Sequence, residues 1–140
     1  MEAVDLVVVD KSERRLELRK DGRMSRSYAI SLGGNPLGPK RQEGDQRTPE
    51  GDYVIDRRNS QSAYHLSLHI SYPNAADRAA SALLGVWAGG DIFIHELPNY
   101  WPLRTAPKVD WIAGCIAVDN AEIEEIWHLV PTGTVIRIVQ

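Results

Sequence analysis

Apolar residues alternate with polar ones along the first quarter of the chain, and this period of two is the strongest constraint on its fold. Leu16 and Leu18 alternate with charged residues, and Asp21-Gly22 is a dipeptide typical of a hairpin turn. Residues 4–9 are mostly β-branched and aliphatic, which indicates a buried strand. The even-numbered residues of 24–32 then share one face of a further strand. The first 32 residues therefore predict a β-meander.

Further short strands and two helices are predicted along the rest of the chain. The strands are expected at residues 53–55, 66–72, 92–94 and 135–139. An alanine-rich segment at residues 75–84 predicts a helix, and Asp119 with Glu122 forms a capping-box pattern that opens a second helix. Residues 33–51 and 96–110 contain many glycines and prolines, and irregular segments of this length often carry function. These elements predict a mainly β fold.

Composition places this chain among ordinary globular proteins. Its 140 residues suit one domain, residues 1–140, around a single core. The net charge of −3 lacks the basic surplus of nucleic-acid-binding proteins, and no apolar run approaches the ~20 residues that cross a bilayer. The acidic N-terminus does not match a secretory signal peptide. We therefore expect a monomer without a nucleic-acid partner, a transmembrane segment or a visible export signal.

Cys115 is the only cysteine of the chain, which excludes an internal disulfide and a cysteine-rich zinc site. It follows Gly114, and His95 closes a predicted strand, so both lie where a strand meets a loop. Histidine can take the proton of a thiol and make it a nucleophile, and the Cys115 N–H could join an oxyanion hole. These residues alone leave two interpretations open: a Cys–His acyl-transfer site, or a structural cysteine beside an unrelated histidine.

The segments around His95 and Cys115 resemble the signature of the L,D-transpeptidase catalytic domain family, the YkuD or ErfK type. That signature places a histidine upstream of a Ser/Thr-x-Gly-Cys motif, and here the two residues are 20 positions apart. Residues 44–51 resemble the family's loop before its central strand. Residues 66–74 and 122–127 resemble its YafK-like branch. The resemblance implies an L,D-transpeptidase-type β-sandwich of mixed sheets, with two or three short helices, in the periplasm or cell envelope.

Three positions depart from the common family pattern. Glu96 follows the histidine where glycine is usual, and Ile112 stands where the family often has serine or threonine. Ala117 stands where many members have arginine, as the YafK-like branch would have it. The nucleophile and the base themselves are retained.

The resemblance implies a role for each residue of the signature. Cys115 would attack the carbonyl of the diamino acid residue in a peptidoglycan stem peptide. His95 would accept the thiol proton and return one to the leaving amine. Glu96 would orient His95 through its main-chain carbonyl, and Gly114 would belong to the oxyanion environment.

Four further residues are predicted to contact the substrate. Arg47 could bind a substrate carboxylate with its planar guanidinium, or it could be a solvated loop charge. His69 either lines the pocket or lies on the surface, and Tyr72 and Trp111 are assigned to the same cleft. His65 and His69 lie about 13 Å apart along a strand, too far to share a metal ion. We therefore expect neither a metal nor a cofactor.

Several functions remain open at this point. An amine acceptor would make the protein an L,D-transpeptidase of cell wall biogenesis and cell shape. Water as acceptor would make it an L,D-carboxypeptidase, or an amidase that releases wall-linked protein. An inactive peptidoglycan-binding module is a further interpretation, which Glu96 favours, and a toxin-like effector is the last.

Overall fold

Eight strands and two helices form the regular structure of residues 3–62, 65–96 and 114–140, which the computed structural model describes. The strands are β1 (Leu6–Asp10), β2 (Arg15–Lys20), β3 (Arg23–Ala29), β4 (Gly51–Ser62), β5 (His65–Ile70), β6 (Phe93–Glu96), β7 (Ile116–Val118) and β8 (Val135–Val139), and the helices are α1 (Ala75–Leu83) and α2 (Asn120–Leu129). The predicted mainly β fold with short helices is confirmed.

The strands form one mixed sheet in the order β3-β2-β1-β8-β4-β5-β6-β7. The pairs β1–β8 and β6–β7 are parallel, and the other neighbours are antiparallel. Ser31, just beyond β3, forms an isolated bridge with Ala117 of β7. Because these residues lie at opposite ends of the strand order, the sheet folds back on itself around the core.

Alternation along the strands fills that core. Val7 and Val9 of β1 are fully buried and pair with Leu18 and Leu16 of β2. Helix α2 adds a buried stripe that includes Ile126. Each fully buried side chain of this size contributes roughly 1.5–3 kcal/mol relative to exposure. The buried set forms one continuous cluster, so the sheet and α2 hold each other in place.

Both helices begin at capping boxes. The Asn74 side chain accepts from the Asp77 N–H at the start of α1, and Asp77 also accepts a hydrogen bond from the Tyr53 hydroxyl at 2.7 Å. Asp119 and Glu122 form the capping box predicted for α2. The helices have nine and ten residues, and neither is long and apolar enough to cross a membrane.

Strand β4 is much longer than the sequence predicted. The apolar pattern marks only residues 53–55, whereas the strand runs over Gly51–Ser62. Its first part pairs with β8 and its second part with β5, where the register shifts twice. Residues 56–62 are polar, so no apolar alternation indicates a strand there. Pairing with β5 decides their conformation instead.

Two other strands end earlier than predicted. Strand β3 stops at Ala29 rather than at residue 32, and β5 stops at Ile70 rather than at residue 72. Met24 is half exposed although it shares parity with the buried Tyr28, because a register shift between Leu18 and Arg19 bends this edge of the sheet.

Candidate active site

Strands β6 and β7 bring His95 and Cys115 to one face of the sheet. The strands run parallel with His95 opposite Ala117, and Cys115 lies immediately before β7. Since residues two apart on a strand share a face, Cys115 points to the same side as Ala117 and His95. One strand spacing of about 4.8 Å and a two-residue rise of about 6.6 Å separate the two backbones. That offset suits contact between an imidazole and a thiol.

His95 is buried, and its ring is oriented by the next peptide. Its Nδ1 lies 2.7 Å from the carbonyl oxygen of Glu96. A carbonyl oxygen only accepts, so Nδ1 carries the proton and Nε2 is the basic nitrogen of the neutral ring. Burial lowers the pKa of His95, and the hydrogen bond to Glu96 opposes that shift. The ring is therefore a neutral base at neutral pH.

Cys115 is partly exposed, and its thiol faces the chain that leads into β6. Its Sγ lies 3.5 Å from the carbonyl oxygen of Asp91, to which it donates. Burial raises the pKa of Cys115, and the Asp91 carboxylate adds to that effect. A hydrogen bond from the Phe93 main chain and the positive charge of Lys40 oppose it. The net direction keeps the resting thiol protonated.

The turn before Cys115 is packed backbone against backbone. Gly114 adopts a φ of +117°, and a Cβ there would lie 2.8 Å from the carbonyl oxygen of Arg47. A Cβ on Gly33 would lie 2.0 Å from the carbonyl oxygen of Gln46 and 3.0 Å from the Gly114 nitrogen. Side chains at either glycine would push the loops apart. The two glycines therefore allow the close packing that fixes the position of Cys115.

A series of buried hydrogen bonds, which the sequence did not predict, also holds the turn at Gly114. The Thr48 hydroxyl donates to the carbonyl oxygen of Gly114 at 2.9 Å, in a buried setting. Lys11 is completely buried, and its Nζ donates to the Thr48 carbonyl at 2.7 Å and to Glu50 Oε2 at 3.0 Å. Because the C=O and N–H of a peptide point in opposite directions, the Thr48 bond also sets the direction of the Cys115 N–H. The only signal for Thr48 was its place in the segment 44–51.

The other predicted residues are placed differently. Glu96 is buried, and its side-chain Oε2 accepts a hydrogen bond from the Leu66 N–H at 3.4 Å. Its main-chain carbonyl accepts the hydrogen bond from His95 Nδ1. Arg47 is half-buried and reaches the site through its main chain, whereas its guanidinium lies beside Gly38. Trp111 lies outside the described residues.

Tyr72 lies in the core rather than on the face that carries Cys115 and His95. It is 3% exposed, its hydroxyl donates to the Ala88 carbonyl at 2.9 Å, and its ring packs 6.1 Å from that of Tyr53. Burial raises its pKa far above the ordinary value. This placement favours a structural role over the predicted contact with substrate.

His69 lies on the face of β5 that faces the same way as His95 on β6. Its side chain pairs with that of Asp56. Its Nδ1 is 2.5 Å from Asp56 Oδ1, and its ring meets Phe93 edge-on at 4.9 Å. Within the part of the chain that the structure describes, no three metal-ligating side chains cluster together. Its position and partners place His69 on the same face of the sheet as His95, beside Phe93.

The protein is thus a mixed β-sheet that folds back on itself, with an imidazole on β6 and a thiol immediately before the adjacent parallel strand β7. The model of the YkuD family, the L,D-transpeptidase catalytic domain, matches residues 5–138. The chain is 31% identical over 137 residues to YafK of Escherichia coli K12, which is named as a candidate L,D-transpeptidase; this covers 93% of the chain and 48% of YafK. The chain belongs to the L,D-transpeptidase catalytic domain family.

Solved structures give the same result for the fold. The helical cell shape determining protein Pgp2 from Campylobacter jejuni superposes with a TM-score of 0.77 at 26% identity, over 99% of this chain and 48% of Pgp2. Bd1075 from Bdellovibrio bacteriovorus gives 0.67 at 26% identity, over 99% of this chain and 48% of that one. An L,D-transpeptidase from Xylanimonas cellulosilytica gives 0.64 at 18% identity, over 99% and 62%, and shows the fold alone. The predicted fold type is confirmed, and this chain spans about half the length of YafK, Pgp2 and Bd1075.

Proposed function

We propose that the protein is a cysteine-dependent acyl-transfer enzyme that acts on peptidoglycan stem peptides, as an L,D-transpeptidase. The observation that carries this proposal is the position of His95 on β6 and of Cys115 immediately before the adjacent parallel strand β7, on one face of the sheet. The Glu96 carbonyl fixes the imidazole so that its basic nitrogen is Nε2. The family assignment supports the reaction class, and the shared face of the thiol and the imidazole supports the roles of nucleophile and base.

The first half-reaction forms a thioester. His95 Nε2 removes the Cys115 thiol proton as Sγ forms a bond to the substrate carbonyl carbon. The oxyanion that develops is stabilised by donors such as the Cys115 N–H, whose direction Thr48 sets. The carbon–nitrogen bond then breaks, and the protonated His95 gives its proton to the departing amine.

The second half-reaction restores the thiol. An acceptor attacks the thioester carbonyl and loses a proton to His95, and that proton returns to Cys115 as the carbon–sulfur bond breaks. An amine acceptor yields an L,D cross-link or a protein–wall attachment. Water yields a carboxypeptidase, or an amidase when the donor is a wall–protein amide. The partial exposure of Cys115 favours water as a competing acceptor.

Intact-protein mass spectrometry with a stem tetrapeptide tests the nucleophile. We expect a mass increase equal to the peptide minus its terminal amino acid on the wild-type protein, and none on Cys115→Ala. The folded state of the variant is checked by its thermal unfolding curve. Turnover or adduct formation by Cys115→Ala would contradict the mechanism. A folded wild-type protein that forms no adduct would support the inactive binding module instead.

The products of the same incubation identify the acceptor. With excess diamino acceptor, a cross-linked dimer identifies a transpeptidase, and a tripeptide identifies a carboxypeptidase. The segment 96–110, which the sequence marks as a long irregular segment of the kind that often carries function, lies outside the described residues apart from Glu96.

The proposed substrate also sets the proposed location. Stem peptides lie outside the cytoplasmic membrane, so we place the protein in the periplasm or cell envelope, as a monomer that needs no cofactor. The relation to Pgp2, a cell shape determining protein, supports a role in wall biogenesis and cell shape.

A further inference from the structure

A groove of about 310 Å³ lies on the catalytic face of the sheet, beside the Cys–His pair. It is lined by Arg57, Arg58, Asn59, Ser67, His69 and Phe93. Ser67 pairs directly with His95, and His69 pairs with Phe93. Residues opposite each other on neighbouring strands share a face, so the floor of the groove continues into the catalytic histidine.

A β-bulge concentrates polar groups in this groove. The register of β4 shifts between Ile55 and Arg57, so Asp56 and Arg57 both lie opposite His69. The Asp56 carboxylate is bound to His69 at 2.5 Å. No carboxylate among the described residues pairs with Arg57, which is exposed. Arg57 is therefore an available cation at the end of the groove.

The neighbouring arginine serves a different purpose. Arg58 stacks 4.0 Å over the Trp127 ring and donates to the Val130 carbonyl at 3.3 Å. The Arg58 guanidinium is therefore occupied by contacts with α2 and its C-terminal end, on the other face of the sheet. Of these two arginines, only Arg57 has a guanidinium without a partner among the described residues.

The chemistry of the groove suits a carboxylate. A guanidinium binds a carboxylate through two parallel hydrogen bonds, and the Phe93 ring offers an apolar wall beside it. Arg57 lies on β4, two strand spacings or about 9.6 Å from β6, and about 14 Å from the chain leading into β7. An extended peptide covers 14 Å in about four residues. A donor peptide that reaches Cys115 can therefore place a carboxylate at Arg57.

We propose that this groove is a donor subsite in which Arg57 binds a carboxylate of the peptide whose carbonyl Cys115 attacks. The proposal rests on the proposed function, since it assigns the donor peptide of that same site. It adds a requirement for specificity: the donor peptide must carry a carboxylate within about four extended residues of the carbonyl that Cys115 attacks.

Binding measurements on the full chain test this subsite without requiring catalysis. In a Cys115→Ala background, calorimetry compares the stem tetrapeptide with analogues in which one carboxylate at a time is converted to an amide. We expect Arg57→Gln to weaken tetrapeptide binding by about 10- to 100-fold, the scale of a hydrogen bond to a charged group. One amidated analogue should bind with equal affinity to the Cys115→Ala parent and to the parent that also carries Arg57→Gln. That analogue lacks the carboxylate that Arg57 contacts.

Arg23→Gln is the matched control, since Arg23 is also an exposed strand arginine but lies at the start of β3, four strands away from β4 in the sheet. It should bind like the parent. In the active protein, Arg57→Gln should raise KM and leave kcat nearly unchanged. Equal tetrapeptide affinity for Arg57→Gln and the parent would overturn the subsite, as would undetectable binding to the parent. Arg57-dependent binding without a wild-type thioester would uphold the subsite and contradict the proposed function.

Discussion

His95 and Cys115 are both neutral in the resting protein, because burial shifts their pKa values in opposite directions. Burial lowers the pKa of His95 and raises that of Cys115. A thiolate–imidazolium pair would require the reverse shifts. In the proposed mechanism, the proton therefore moves from Cys115 to His95 as the bond to substrate forms, and His95 would act as a general base.

Alkylation of Cys115 by iodoacetamide tests this resting state. The raised pKa lowers the thiolate fraction at neutral pH, so the alkylation rate should keep rising through a midpoint above the ordinary thiol value of about 8.5. Cys115→Ala controls for labelling elsewhere. A rate that levels off with a midpoint below pH 7 would contradict the neutral pair and indicate a preformed ion pair.

At the scale of elements, the segment between β3 and β4 acts as the support of the nucleophile turn. Lys11 at the end of β1 holds the Thr48 carbonyl, and the Thr48 hydroxyl holds the Gly114 carbonyl. Removing one partner of a buried pair leaves the other unsatisfied, which costs about 1–3 kcal/mol for a neutral group. Thr48 is thus a positioning residue that acts on Cys115 through the peptide before it.

Thr48→Val tests the support because it keeps the shape and removes the hydroxyl. We expect kcat to fall about tenfold, with stability lower by about 1–3 kcal/mol, and Thr48→Ser to restore most of both. Thr134→Val is the control: Thr134 is also buried and donates to a carbonyl, that of Pro131 at 2.7 Å, away from the site. It should lose comparable stability and keep kcat. Thr48→Val with wild-type kcat would exclude a positioning role.

Over the whole molecule, β8 joins the two halves of the folded sheet. It pairs with β1 on one side and with β4 on the other, and its side chains alternate between buried and exposed. Ile136 is fully buried, whereas its neighbour Val135 is 37% exposed. Packing against Ile136 therefore stabilises both the half of the sheet that contains β1 and the half that contains β4.

Urea denaturation of two alanine variants tests this role of β8. Ile136→Ala should lower the free energy of unfolding by about 2–5 kcal/mol, since it opens a cavity in the core. Val135→Ala, on the opposite face of the same strand, should change it by less than about 1 kcal/mol. Equal losses in the two variants would show that β8 contributes through strand propensity rather than through packing.

The candidate site was partly predictable from the sequence. The spacing of His95 and Cys115, and the use of the Glu96 carbonyl, followed from a signature of nearby residues. Tyr72 was assigned to the cleft, but its side chain faces the core. Arg57 was missed because it lies in a polar stretch that carries no strand pattern until β5 pairs with it.

Period-two alternation and capping boxes are relations between near neighbours, so the sequence predicted most strands and both helices, and the family signature drew attention to His95 and Cys115. The supports of the site are relations between distant residues. Lys11 meets the Thr48 carbonyl across 37 positions, and Thr48 meets Gly114 across 66. A buried lysine and a loop threonine look like solvated residues in a sequence, because their partners are defined only once the sheet has folded back on itself. Tertiary packing therefore decided how the turn before the Cys115 thiol is held, and it placed Arg57 in the groove on the same face of the sheet.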